Sequence, residues 1–242
     1  MPTLHALVDY YNVAEIPFAE AATYKDHRDA VDSLVSLLIE ASRQFSPVPT
    51  ELRLRLYGGW HNEADDSSTG ARDILGDISA RHFPYRSAQR VHLHLADSLV
   101  AFPTENLDHT LRRTVGFAPF SIGRREDFCS APEELCCLEV LKSWRKGRCK
   151  NCDSCNVRTK EVVTSVRQKM VDTAIVTDLF TLAHSSTDAI AAVSNDDDIV
   201  PGVLGASQLT KKIALIHIGK LKTTAGDLLC SRLGVRVVSI RR

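Results

Sequence analysis

Six short apolar runs constrain this chain more than any other feature, because each suits one buried strand and falls far below membrane-spanning length. They cover residues 4–8, 52–56, 91–95, 189–193, 212–217 and 235–240. Segments with helical spacing lie between several of them. Over residues 28–45, Val31, Leu34, Val35, Leu38 and Phe45 recur at the 3–4 spacing of one face. Further helices are expected over 133–144, entered through Pro132, over 161–183, over 200–208 and near Leu228. Alternating strands and helices, with strands that are apolar runs, predict an α/β fold: a mainly parallel sheet covered on both faces. Within residues 52–56 and 91–95, Arg53, Arg55, His92 and His94 alternate with apolar residues. The two histidines are therefore expected to face solvent rather than a metal.

The 242 residues can bury the core of one large domain, or of a domain with an insertion. No apolar run approaches the ~20 residues of a membrane helix. Asp9 arrives too early for a signal-peptide core, and a basic start is lacking. The chain reads as soluble and cytoplasmic, with no membrane partner. Thirty bases balance thirty acids, yet the balance is an average. Residues 1–66 carry a net −6 and residues 142–169 a net +7. Neutrality therefore does not exclude a nucleic-acid partner.

Ligands of parallel sheets bind beyond the carboxyl ends of the strands. The first run ends Val8-Asp9-Tyr10-Tyr11-Asn12, and the fourth ends Val193-Ser194-Asn195-Asp196-Asp197-Asp198. The expected helix over 161–183 adds Asp172 near its middle. Carboxylates gathered at one edge repel unless a cation lies between them, and Mg²⁺ or Mn²⁺ is the natural one. Strand-end aspartates also serve as helix caps and turn residues, so each acid alone says little.

Together these segments resemble the NYN family of PIN-like, metal-dependent ribonucleases. The Asp-x-x-Asn motif is matched by Asp9 to Asn12. The family helix is matched by Lys169-Met170-Val171-Asp172, continuing to Asp178-Leu179. The Ser-Gly-Asp-x-Asp-Phe-x-Pro motif is matched by residues 194–201, with Asn195 for Gly and Ile199 for Phe. Asn195 is expected to keep the turn because Asn tolerates left-handed backbone. The resemblance covers about residues 3–57 and 161–240. It implies a PIN-like three-layer α/β/α fold, with Asp9, Asp172, Asp196 and Asp198 holding Mg²⁺ or Mn²⁺ and Asn12 assisting beside the substrate. Asp178 lies about 240° around the helix from Asp172, which points to a capping or structural role. Asp227 is a minor candidate.

Six of seven cysteines fall within 27 residues, at 129, 136, 137, 149, 152 and 155. Without a secretion signal, metal binding is favoured over disulfides. Cys149, Cys152 and Cys155 with Cys137 (or Cys136) would complete a structural zinc site. An iron–sulfur cluster is the alternative, less favoured because the usual Cys-Pro is missing. Cys230 is expected to be a buried apolar residue. Lys142, Arg145, Lys146, Arg148 and Lys150 surround the cysteines, and Lys169 follows; all suit phosphate contacts. Trp144 fits a core position better than a base-stacking one. The resulting organisation is a PIN-like catalytic domain, 1–83 and 161–242, interrupted by a basic, cysteine-rich insertion, 84–160.

The expected activity is metal-dependent phosphodiester hydrolysis, on RNA in preference to DNA. An NYN-like module that binds RNA or protein with little catalysis is the alternative. A phosphatase ranks below both, since Tyr11 stands where its second aspartate would. An oligomer or a protein partner stays open.

Overall fold

The computed structural model describes residues 1–14, 16, 22–61, 68–86, 89–107, 110–115, 121–122, 163–168, 170–220 and 222–242. Two compact units emerge, one formed by Met1–Thr110 with Lys169–Arg242 and the other by Leu111–Gln168.

The larger unit is built on seven strands: β1 (Thr3–Asp9), β2 (Glu51–Tyr57), β3 (Tyr85–Arg86), β4 (Arg90–Leu95), β10 (Ala189–Val193), β11 (Ile213–Ile218) and β12 (Arg236–Ile240). Their order is β12-β11-β10-β1-β2-β4-β3. Every pairing is parallel except β3 with β4. All six expected runs are strands of this sheet. Side chains alternate between faces, so each strand feeds two cores. Leu4, Ala6, Val8, Leu54 and Ile216 pack on one face, beneath α2 (Tyr24–Ser42) and α3 (Gly70–His82). Leu7, Tyr57, Ile190, Ala192 and Leu215 pack on the other. There they meet α4 (Val171–Ser185), α5 (Val200–Ala206) and α6 (Ala225–Arg232). The expected α/β class, with helices on both faces, is observed.

The helix ends follow local chemistry. Thr23 and Asp26 form a reciprocal capping box that starts α2 four residues before the expected point. Thr224 and Asp227 do the same for α6. Thr69 caps α3, an element the apolar pattern did not announce. A short helix, α1 (Tyr10–Val13), follows β1 directly, and an antiparallel pair, β5 (Ser98–Leu99) with β6 (Phe102–Asn106), follows β4.

One element differs in kind. Residues 161–183 were expected to form a single helix, but Val163–Gln168 is strand β9 and α4 begins only at Val171. Val163, Thr164 and Val166 are β-branched, which favours the pleated strand. β9 pairs antiparallel with β7 (Leu111–Val115) and β8 (Ser121–Ile122), making the three-stranded sheet of the smaller unit. Met170 then takes left-handed backbone (φ 65°) at the N-cap position of α4, with no side-chain capping bond. Asp172 therefore sits in the helix's first turn, not near its middle. The sheet also continues past residue 84, since β4 is one of its strands, and the separate unit starts at Leu111. The expected helix over 133–144, Trp144, the six clustered cysteines, Lys142, Arg145, Lys146, Arg148, Lys150 and Lys169 lie outside the described residues.

Candidate active site

Chain connectivity picks out one place on the sheet edge. β1 is followed by α2 on one face of the sheet, whereas β10 is followed by α5 on the other, and the two strands are neighbours. Their carboxyl ends form the topological switch point, where open α/β sheets bind ligands. Asp9 ends β1. Ser194 to Asp198 follow β10, and Val8 pairs with Val193, so the two acidic segments leave the sheet side by side. α4 starts with Asp172 in its first turn.

Asp9 is buried, 6% exposed, at the N-cap of α1, where the Asn12 backbone N–H and the Ser194 hydroxyl favour its charged form and partly offset the burial. The Ser194 hydroxyl lies 3.4 Å from Asp9 Oδ2. Burial pushes the Asp9 carboxyl up to about 7, and the charge of Asp172, then of Asp196, adds to the effect. Asp172 is also raised, first by burial and then by Asp196 and Asp198. The charges of Asp172 and Asp196 thus bear on Asp9, and those of Asp196 and Asp198 on Asp172. Asp196 Oδ1 accepts from the Asp198 N–H at 3.0 Å, capping the 3₁₀ turn Asp197–Ile199, so the capping role foreseen for such an acid is present too. Asp197 turns away, to Lys220 Nζ at 2.9 Å and Thr224 Oγ1 at 3.0 Å.

Asn12 reaches the same edge, where its Oδ1 accepts from the Asn195 N–H at 2.6 Å. Asn195 does not have left-handed backbone; among described non-glycine residues only Met170 does. Its amide instead pairs with the backbone of Ile218, donating to the carbonyl at 2.8 Å and accepting from the N–H at 3.1 Å. The side chain, not backbone tolerance, accounts for Asn at this position. Ile199 is fully buried, as an apolar replacement for Phe requires.

No known family model and no curated protein matches the chain. The chemistry of the edge must therefore be judged from its own residues. Among those described, no three His, Cys, Asp or Glu side chains stand close enough to hold one ion between them. Mg²⁺ asks for less, since one or two carboxylates plus water complete its shell. Asp9 with either neighbouring acid suits such an ion in donor type, and their mutual repulsion is what a divalent cation would relieve.

The remaining candidates sort themselves by contact. Asp178 is fully buried in the middle of α4, where it accepts from Tyr57 OH at 2.6 Å, Val100 N at 2.7 Å and Arg55 Nε at 3.1 Å. It holds α4 to β2 and to the turn after β5, a structural role without capping. Asp227 belongs to the capping box of α6, and its Oδ1 lies 2.7 Å from Nε2 of buried His217. Cys230 is buried and unpaired. His92 lies 3.7 Å from Glu51 and stacks on exposed His94. A cavity of about 300 Å³ opens at the opposite edge of the sheet, near Thr3, Ala189 and Ile213, away from these acids. Pattern reading missed Ser194 as a contact of Asp9, and it missed His217. Position offered one clue, since Ser194 is the first residue beyond β10.

Proposed function

We propose that this chain is a PIN-like, NYN-type nuclease that hydrolyses phosphodiester bonds with Mg²⁺ or Mn²⁺, acting on RNA in preference to DNA. One observation carries the reading. Asp9 and the Asp196–Asp198 turn leave neighbouring parallel strands side by side at the switch point, and Asp172, from a third stretch, lies near enough for its charge to raise the Asp9 carboxyl. A purely structural account would not need them together, because each could cap or solvate a helix end alone. Asp9 with Asp172 or Asp196 would hold the ion, with water completing its shell and the remaining acids, Asp198 included, adding negative charge nearby; its positive charge would supply Lewis acidity for attack on the scissile phosphate. Asn12 and Asn195 keep the β1 and β10 ends in register. Ser194 restrains one Asp9 oxygen and accepts from the Asp196 N–H at 3.1 Å.

The basic run from Lys142 to Lys150, with Lys169, would supply the phosphate contacts. Zinc on Cys149, Cys152, Cys155 and Cys137 (or Cys136) would hold that run together in a reducing, cytoplasmic setting. Purified protein with Mn²⁺ should cleave single-stranded RNA, duplex RNA or DNA, with RNA preferred, and EDTA should stop it. No cleavage of any of them, with salt-dependent RNA binding retained, would replace the nuclease with a binding module.

A further inference from the structure

We propose that His217 is a positioning residue for the acidic edge, acting through Ser194. The inference rests on the metal-site reading above.

His217 lies near the end of β11 and is wholly buried. One ring nitrogen, Nδ1, lies 2.6 Å from the Ser194 carbonyl oxygen, and the other, Nε2, lies 2.7 Å from Asp227 Oδ1. A carbonyl oxygen only accepts, so Nδ1 is the donor there. Asp227 in turn is fixed at both oxygens. Oδ2 accepts from the Thr224 N–H at 2.7 Å in the capping box of α6, and Lys220 Nζ stands 3.8 Å from Oδ1. A continuous chain of contacts thus runs from the start of α6 through Asp227 and His217 to Ser194. From Ser194 it divides, the hydroxyl lying 3.4 Å from Asp9 Oδ2 and accepting from the Asp196 N–H at 3.1 Å. No other described side chain bonds the Ser194 carbonyl.

The arrangement has a cause in the sequence. β11 is buried along its whole length, and His217 is its one polar side chain. An imidazole at a fully buried strand position requires partners at both nitrogens, and a plain core would place an aliphatic residue there. Partners that orient ligands are the usual means of setting metal affinity, and losing them costs about 10–100-fold.

Two substitutions separate positioning from packing. In His217→Asn the amide nitrogen falls near the Nδ1 position and keeps a donor for Ser194. In His217→Gln it falls near the Nε2 position, keeping a donor for Asp227 and losing the one for Ser194. Mn²⁺ binding to the full chain is measured by calorimetry, with urea denaturation of each variant alongside. His217→Gln should weaken Mn²⁺ about tenfold or more, while His217→Asn stays within about threefold of wild type. Ser194→Ala, which removes the hydroxyl contacts but keeps the carbonyl that His217 bonds, should weaken Mn²⁺ likewise, and unchanged affinity in it overturns the role even if neither His217 variant folds. Equal Mn²⁺ affinity in His217→Gln and wild type, or in Ser194→Ala and wild type, overturns the positioning role while leaving the acidic site intact. A wild type that binds no Mn²⁺ overturns the metal site and this inference with it.

Discussion

At the residue scale, Asp9 is the side chain whose environment departs furthest from what a carboxylate prefers. It is buried beside like charges, so its folded-state value of about 7 stands above the ordinary 3.8. The folded chain then holds a proton that the unfolded chain releases. This contribution to stability is fully present below about pH 4 and is lost as pH rises through about 7. With EDTA present, urea denaturation should show Asp9→Asn more stable than wild type at pH 8, by about 1–3 kcal/mol, with little advantage at pH 4. Equal stability at both pH values would mean that Asp9 carries no such penalty. Asp178 predicts the opposite response. It satisfies three donors with no exposure, so Asp178→Ala should destabilise the fold by about 3–5 kcal/mol in the same assay. A loss below about 1 kcal/mol would contradict the structural role assigned to it.

At the element scale, α4 and α5 approach closely because Gly202 and Gly205 face α4. A Cβ on Gly202 would run into the methyl groups of Val176, and one on Gly205 would lie 2.6 Å from the Phe180 ring. Gly202→Ala should therefore cost about 1–3 kcal/mol in thermal or urea unfolding, the usual penalty of overpacking, and a neutral result would deny the close approach. The same elements show what a sequence can disclose. The six parallel strands were legible, most as short apolar runs and β2 and β4 as apolar residues alternating with Arg or His. β9 was misread, since Val163 and Val166 are three apart and imitate a helical stripe when a strand's partner is unseen. α3 escaped notice because it fully buries only Leu75 and Ile78. The acids at strand ends were legible from position, whereas Asp172 was singled out by the family resemblance and misplaced to the middle of its helix. His217 and Ser194 were not, because their roles arise from contacts across β10 and β11 that linear order does not reveal.

At the scale of the whole molecule, a neutral chain is divided into acidic and basic segments. Among the described residues no helix is long and apolar enough to cross a membrane. The acids of the β1 and β10 ends supply the proposed metal site, and the +7 stretch supplies the proposed phosphate contacts. If the proposed zinc site is present, elemental analysis should find about one tightly held zinc per chain, lost in Cys152→Ser. Iron in place of zinc would assign the thiolates to a cluster, and finding neither metal would rule out the site. The central claim concerns the acidic edge, and neighbouring aspartates test it most directly. The charge of Asp196 bears on Asp9 and Asp172, whereas Asp197 is bonded to Lys220 and Thr224. Single-turnover cleavage of single-stranded RNA with Mn²⁺ should fall by about a hundredfold or more in Asp196→Asn and stay within about threefold of wild type in Asp197→Asn. Equal rates for wild type and Asp196→Asn, or no cleavage by the wild type, would contradict the account.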